Sequence, residues 1–368
     1  MKKSFEIFSL ILLVATLPCC NKQNRFQEIS VSDIPEAKTE IIRMDKDIYQ
    51  LNDCITRPAI TGNYDMMTVD IPDNDSLCML QQINQIRDRY KEQYSLYMYQ
   101  LGALTGTQNI NPATLFYLFL SHPAYGELFQ DCEKEYENVS DLEENFTHAF
   151  SRAKALIPSF NIPKVCTFFS GFAEYIAADS STIYVSLEYF LGEDYKNYQH
   201  VPGIYDYMIP NLKREKIVPD ALYHWICSEY PLQKEGGNLL DNMIHYGKML
   251  YTIESILPNI DKKLLIGYNQ EQWDWCEENE KGMWNYLREY NQLFSTDSKT
   301  ISDYLFPANN TKYFSDEEGH NAPSQAVLWI GWKIVSEYME KESQLTINDL
   351  LMQDKDAQSI LAIAKYRP

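Results

Sequence analysis

The chain has 368 residues, of which 45% are apolar and 13% aromatic, and its 52 acidic residues outnumber its 32 basic ones. This composition excludes an intrinsically disordered protein, because so many apolar and aromatic side chains are enough to build a core. The formal net charge of −20 argues against nucleic acid and against an anionic lipid surface as partners, since phosphate groups are bound by clustered Lys and Arg.

The first twenty residues have the pattern of an export signal that ends in a lipid attachment site. Lys2 and Lys3 precede an apolar run over 7–17, which has the length of a signal-peptide core and is too short to span a bilayer. The run ends with Leu17, three residues before Cys20, and the residue directly before Cys20 is small. This arrangement resembles a bacterial lipobox and predicts acylation of Cys20.

Acylation of Cys20 predicts a membrane anchor, because fatty acyl chains such as palmitate contribute about 0.8 kcal/mol of membrane affinity per buried CH₂ group. Residues 1–19 are then the signal peptide, and residues 20–40 are the anchor with a polar tether. The alternatives are an ordinary signal peptide and a buried hydrophobic helix. Without residues 1–19 the chain keeps 30 basic and 51 acidic residues, a formal charge of −21.

The remaining chain is predicted to be a predominantly helical α+β protein, with a small antiparallel sheet between two helical parts. Apolar residues at spacings of three and four predict one long helix over 77–101, capped by Asp75 or Ser76. A capping box at Ser140 predicts the start of another helix. β-branched and aromatic runs predict short strands, the last two joined as a hairpin, at 165–169, 174–177 and 182–187.

The helical pattern returns after the strands and continues to the C-terminus. The predicted C-terminal helices span 217–230, 239–256, 270–294, 325–341, 346–352 and 356–365. We therefore place a helical N-terminal part at 41–160 and an α+β part at 161–368, which form either one domain or two. The six cysteines after Cys20 are scattered, so most are expected to be free thiols, and the pairing of any disulfide stays open.

Several stretches resemble the gliding-motility-associated lipoprotein family of the GldB type, which occurs in gliding Bacteroidota and in non-motile relatives. The most specific match begins at Ile-Gly-Tyr (266–268) and continues through Trp-Cys-Glu-Glu-Asn-Glu (275–280). Further matching stretches are 43–49, 169–172, 187–195, 243–251, 329–335 and 365–368. The resemblance implies a cell-envelope lipoprotein associated with gliding, on the periplasmic face of the outer membrane, and it implies no known reaction.

That family looks distantly similar to predicted zinc peptidases, in which an H-E-x-x-H helix supplies two metal ligands and a general base. At the corresponding place His224 is followed by Trp225 where the base would stand, and Ser228 stands where the second His would be. Tyr246 occupies the position of a ligand Glu. The resemblance therefore implies that a zincin-like fold here has lost its chemistry, and we expect no metal, no cofactor and no catalytic residue.

The candidate pocket lies around two glycines that are predicted to fall inside helices. A helical glycine costs about 1 kcal/mol relative to Ala, so Gly247 and Gly331 indicate either a backbone beside a ligand or a tight helix crossing. The tryptophans of the last third either line a groove or fill the core. The candidate pocket residues are His224, His245, Tyr246, Lys248, Trp329 and Trp332.

The leading functional hypothesis is a non-catalytic binding or assembly component of an envelope complex. Its expected partners are envelope proteins, and its membrane contact is the lipid anchor. One alternative is a zinc-dependent, peptidase-like hydrolase with atypical ligands that uses His224 or His245. The other is a peptide- or glycan-binding module that uses an exposed tryptophan cluster.

Overall fold

The computed structural model describes residues 24–28, 36–56, 71–105, 111–121, 123–232, 237–308, 314 and 322–368. Cys20 and the predicted signal peptide lie outside these residues. The described residues form a predominantly helical α+β structure with one small sheet, which confirms the predicted fold class. None of the described helices is long and apolar enough to cross a membrane.

The N-terminal part consists of one strand followed by six helices. These are β1 (Ile41–Arg43), α1 (Met44–Gln50), α2 (Asp73–Tyr90), α3 (Glu92–Thr105), α4 (Pro112–Ser121), α5 (Pro123–Glu135) and α6 (Ser140–Leu156). The other three strands come next in the chain. They are β2 (Lys164–Phe168), β3 (Ile176–Ala178) and β4 (Thr182–Ser186).

The C-terminal part is helical. Its helices are α7 (Ile217–Glu229), α8 (Leu239–Ile256), α9 (Lys262–Ile266), α10 (Gln270–Glu289), α11 (Ser298–Leu305), α12 (Ala326–Lys341), α13 (Ile347–Met352) and α14 (Ala357–Ala364). The bounds agree with the predicted ones within a few residues, except that the helix predicted over 270–294 ends at Glu289 and a short 3-10 helix, Gln292–Phe294, follows. The close agreement has a physical cause, since Asn238, Asn269 and Thr346 each form a capping box.

The sheet is mixed, and the prediction of an antiparallel sheet was wrong for two of its three strand pairs. The strand order is β1-β2-β4-β3, in which β1 pairs with β2 and β2 with β4 in parallel, and only β3 and β4 are antiparallel. The predicted hairpin between β3 and β4 is present, and Asp179 closes it by accepting hydrogen bonds from the Ser181 and Thr182 amides. Because β1 comes from the N-terminal part, the sheet joins the two predicted parts of the chain.

The long helix predicted over 77–101 was wrong, because the chain forms α2 and α3 with a break at Lys91. Lys91 has a positive φ of 41°, which an α-helix does not allow. The predicted caps were wrong as well. Asp75 is buried within α2 and accepts hydrogen bonds from the amide and hydroxyl of Thr56, at 3.0 and 2.8 Å. The apolar periodicity correctly indicated helical structure on both sides of the break. Periodicity cannot reveal a single non-helical residue such as Lys91.

The capping box predicted at Ser140 does not form either. Val139 is the residue before α6, and its side chain makes no capping hydrogen bond. The carboxylate of Glu143, which would complete the box, instead accepts a hydrogen bond from the Ile41 amide at 3.0 Å. A long-range contact has therefore replaced the local one, and it holds the first strand against α6.

The segment expected as a tether, 20–40, is attached to the folded part at both of its described ends. Arg25–Glu28 is a short 3-10 helix that packs on α8, and Asn24 and Phe26 are both less than a tenth exposed. Farther along, the Ala37 and Thr39 amides donate hydrogen bonds to Ser151 and Thr147 of α6. The polar composition of this segment therefore did not indicate a free tether, because the segment forms hydrogen bonds with the folded part at both described ends.

One disulfide, Cys54–Cys78, joins the 3-10 helix Leu51–Cys54 to α2. Cys132, Cys166 and Cys276 are buried free thiols, and Cys227 is half-buried and free. The expectation that most of these cysteines are free is confirmed. The pairing could not be read from the sequence, because scattered cysteines allow many connectivities.

Candidate functional site

The helices α8 and α12 cross in direct backbone contact at the two helical glycines. A Cβ atom added to Gly247 would lie 2.6 Å from the backbone carbon and oxygen of Gly331, and one added to Gly331 would lie 2.3 Å from the carbonyl oxygen of Met243. Any larger side chain would force the helices apart. Of the two interpretations of these glycines, the structure therefore supports the tight crossing.

Trp329 and Trp332 belong to the core at this crossing and do not line a groove. Trp329 is fully buried and Trp332 is 3% exposed, and both meet the edge of the half-buried Trp273 ring. The Trp332 indole N–H donates to Oε2 of Glu254 at 3.0 Å, and Lys262 Nζ lies 2.8 Å from Oε1 of the same carboxylate. Glu254, which is 1% exposed, is thus paired on both oxygens.

Around α7 and α8 lies a group of rings that we call the aromatic face, half-buried except for the exposed Phe306: Tyr175, Tyr223, His224, Tyr246 and Phe306. The His224 ring lies 6.3 Å from the Tyr175 ring and 6.2 Å from the Tyr223 ring. The Tyr246 ring meets the Phe306 ring at 5.7 Å in an edge-on contact. The aromatic face therefore brings together two of the predicted pocket residues, His224 and Tyr246.

Burial governs the protonation of the aromatic face. It lowers the pKa of His224, although the nearby charge of Asp220 acts in the opposite direction, so the imidazole is neutral at pH 7. Asp220 also accepts a hydrogen bond from the Tyr175 hydroxyl at 2.5 Å and pairs with Lys216 at 2.7 Å. Burial raises the pKa of Cys227, which lies beside Tyr223, to about 12, so this thiol is protonated and poorly nucleophilic.

His245 and Lys248, the other two predicted pocket residues on α8, differ in their surroundings. The His245 ring meets the Tyr246 ring edge-on at 4.9 Å, so His245 adjoins the aromatic face. Burial, assisted by the charge of Lys355, lowers the pKa of Lys248 to about 8. Burial, assisted by the charge of Lys248, lowers the pKa of His245 to about 4. His224 and Tyr246 thus lie on the aromatic face with His245 beside it, whereas Trp329 and Trp332 lie in the core.

The positions at which the resemblance would place a zinc peptidase motif make other contacts. Trp225 is fully buried, and its indole N–H donates to the Asn161 carbonyl at 3.0 Å. The hydroxyl of the exposed Ser228 donates to the Trp225 carbonyl of its own helix at 2.8 Å. Among the described residues there is no group of three His, Cys, Asp or Glu side chains that could hold a metal ion. The Asp220 carboxylate, four residues before His224 on α7, is paired with Lys216 and with the Tyr175 hydroxyl.

A cavity that the sequence did not predict lies among the described residues. It has a volume of about 730 Å³ and lies between α6, the start of α7 and the chain that follows α8. Its apolar lining is Leu142, Ala149, Val218, Pro219, Ile256, Leu257, Pro258, Ile260 and Leu264, and its polar lining is Glu36, Asp141, Asn145, His148, Ser151, Arg152, Arg214, Glu215 and Asn259. An apolar floor with a polar rim is typical of a binding site.

Arg152 fixes the wall of this cavity. Its guanidinium donates to the Ile256 and Ser255 carbonyls at 2.8 and 2.9 Å and to the Phe26 carbonyl at 2.9 Å. These contacts join α6, the end of α8 and the N-terminal segment. The one sequence signal for this role was an arginine among small and aromatic residues at 149–153, since a buried arginine requires several acceptors.

A second buried carboxylate, Glu188, was also missed. It is fully buried after β4, and burial raises its pKa to about 7. It accepts hydrogen bonds from the Ser170 hydroxyl at 2.6 Å and from the Ser170 and Phe172 amides at 2.8 and 3.1 Å. Phe172 has a φ of 65°, a strained value for a bulky residue, and the carboxylate holds this turn in place beside the sheet.

The fold and the site define a helix-rich α+β protein with a lined cavity and a half-buried aromatic face, built around one close helix crossing. Residues 73–368 match the lipoprotein family described as gliding motility protein GldB. Because this match covers most of the chain, the protein belongs to that family and is related to gliding motility. No curated protein and no solved structure matches the chain.

Proposed function

We propose that the protein is a non-catalytic binding or assembly component of a cell-envelope complex, anchored through acylated Cys20 at the periplasmic face of the outer membrane. Its membership of the GldB family supports a role in gliding or a related envelope process. The lipobox-like sequence before Cys20 supports the anchor. The lack of acidic residues directly after Cys20 supports the periplasmic face, because lipoproteins exported to the surface in this phylum typically carry them.

The observation that best supports a non-catalytic role is the packing at the positions where the resemblance would place the H-E-x-x-H motif. A peptidase needs a carboxylate general base beside its metal, and the equivalent position holds a fully buried tryptophan bonded to a backbone carbonyl. The position of a ligand Glu holds Tyr246, whose ring packs on Phe306. Restoring that chemistry would require replacing core residues.

A peptide-binding module is the second candidate, and the 730 Å³ cavity favours it over a glycan-binding one. Peptides contribute apolar side chains that suit the floor of this cavity. A glycan site built on Trp329 and Trp332 is disfavoured, because both indoles are buried in the core. Val218→Asp in the lining should abolish complementation of a deletion strain if this cavity binds a peptide, whereas Thr296→Asp, at an exposed position before α11, should complement fully.

The proposal is tested by metal analysis of the purified wild-type protein. We expect no zinc to be retained after dialysis, because a non-catalytic component needs no metal. Stoichiometric zinc that survives dialysis would support the hydrolase alternative. In a deletion strain complemented with Cys20→Ala, the protein should move from the membrane fraction to the soluble fraction.

A further inference from the structure

The chain just after the predicted lipid attachment site is fixed to the folded domain. Asn24 Nδ2 donates to Ser255 Oγ at 2.9 Å, and Arg25 Nη2 donates to the Leu345 carbonyl at 2.6 Å. The Phe26 ring meets the Tyr251 ring in an edge-on contact at 6.5 Å. These contacts, together with the bond from Arg152 to the Phe26 carbonyl, hold the backbone from Asn24 onward against α8 and the turn after α12.

Three residues separate Cys20 from Asn24. Even a fully extended chain would place the two Cα atoms no more than about 14 Å apart. An acylated Cys20 lies at the bilayer surface, because its acyl chains are buried in the membrane. The surface on which Asn24 lies must therefore remain within a short distance of the lipid headgroups.

We propose that this surface faces the bilayer. It comprises Asn24–Glu28, the adjoining end of α12 and the turn after it, and we call it the anchor face. Its partner is the lipid bilayer that carries the anchor, so the inference rests on the proposed acylation of Cys20. The domain is held close to its membrane and does not range on a long tether.

The charges on the anchor face determine how it meets the membrane. Glu28 and Glu340 are exposed there together with Lys341. Acidic side chains are not attracted to anionic headgroups and are costly to bury in hydrocarbon. The anchor face therefore lies beside the headgroups without inserting, and the short chain to Cys20 keeps it there.

The other end of α8 points away from the anchor face. The Leu239 amide at the start of this helix donates to the Ser295 carbonyl at 2.9 Å. Ser255 lies sixteen positions after Leu239 in the helix, which is a distance of about 24 Å. Tyr290 is 63% exposed and Phe294 is 45% exposed near this far end, where envelope partners can reach them.

The test compares fluorophores attached at the two ends of α8. Single cysteines are introduced as Ser343→Cys beside the turn that Arg25 contacts, and as Thr296→Cys next to Ser295, in a Cys227→Ser background. The full-length acylated protein is purified from membranes and reconstituted in phosphatidylcholine vesicles containing spin-labelled headgroups, which quench only at short range. We expect at least twofold stronger quenching at position 343 than at 296.

The control variant carries a twelve-residue Gly-Ser insert between Gln23 and Asn24, which lengthens the chain without touching the domain. It should bring the quenching at the two positions close to equal, whereas the same insert after Pro368 should leave the difference intact. Equal quenching without any insert, or stronger quenching at 296, overturns the anchor face. A protein that is not acylated at Cys20 would not stay with the vesicles, which instead overturns the proposed anchor.

Discussion

The two sides of α8 differ in how tightly they are packed. The side toward α12 has backbone contact at Gly247 and a buried Glu254 whose carboxylate lies against the Trp332 indole and the Lys262 ammonium. The side toward α7 and α11 carries Tyr246 and the rest of the aromatic face, where the rings are half-buried or exposed and His224 makes ring contacts but no hydrogen bond among the described residues.

This difference separates a scaffold from a surface that is available for binding. Close packing around a buried, paired carboxylate fixes one geometry, because any shift would leave a buried charge or open a cavity. Partly exposed rings retain capacity for a ligand. Substitutions on the α12 side should therefore affect stability, and those on the aromatic face should chiefly affect binding.

The largest effect is expected at the crossing. Gly331→Ala places a Cβ where only 2.3 Å separates it from the Met243 carbonyl oxygen, so the helices must move apart. We expect a loss of about 3 kcal/mol in the free energy of unfolding, measured by chemical denaturation. The matched control is Gly282→Ala in α10, where an added Cβ meets nothing within 4 Å. That change should stabilise the protein slightly, and equal effects of the two would refute the tight crossing.

A smaller effect is expected from the buried indole. Trp332→Phe removes the donor to Glu254 and leaves one carboxylate oxygen without its hydrogen bond. The expected cost is about 2 kcal/mol, again from denaturation curves. Trp273→Phe removes a similar volume from a half-buried position and should cost less. If Trp273→Phe were the more damaging change, the pairing of Glu254 would not be what stabilises this side.

The smallest effect is a pH dependence at His245. Its pKa is about 4 in the folded state and 6.5 ordinarily, so between these values the unfolded chain binds a proton that the folded chain does not. Stability contributed by the neutral His245 is therefore lost as the pH falls below about 6.5. His245→Gln should lessen the loss of stability between pH 7 and pH 5 by about 1 kcal/mol, a figure reduced for solvent screening.

Denaturation midpoints of the wild type and His245→Gln at several pH values would measure this difference. Glu188 acts in the opposite sense, because its raised pKa of about 7 favours the folded state as the pH falls through that value. It is present in both proteins, so its contribution cancels in the comparison. Parallel curves for the two proteins would show that His245 does not titrate in this way.

Predictability from the sequence differed between the two halves of the chain. Six of the eight described C-terminal helices were located, three of them because Asn238, Asn269 and Thr346 cap them through contacts within four residues, whereas α9 and α11 were not predicted. In the N-terminal half, the Glu143 side chain accepts a hydrogen bond from the Ile41 amide and does not cap its own helix, and Lys91 interrupts a regular apolar period. Local sequence patterns do not predict such features, because they depend on contacts with residues that are distant in the sequence.

The site shows the same division. The sequence identified His224, Tyr246 and both helical glycines as unusual, because a glycine or a histidine in an apolar helix is unusual in itself. The sequence did not show which of these residues contact each other. It also did not predict the cavity, which is formed by segments from 36 to 264. Glu188 was missed because its hydrogen-bond donors lie in a turn sixteen to eighteen residues away.

The sequence by itself determined the fold class, the export and lipidation pattern, the positions of the longer C-terminal helices and the resemblance to the GldB family. These depend on composition, periodicity and short motifs, which act over a few residues. Tertiary structure decided the parallel pairing of β1, β2 and β4, the attachment of Asn24–Glu28, and which tryptophans are core. Those features depend on burial and on hydrogen bonds between distant segments, which exist only when the chain has folded.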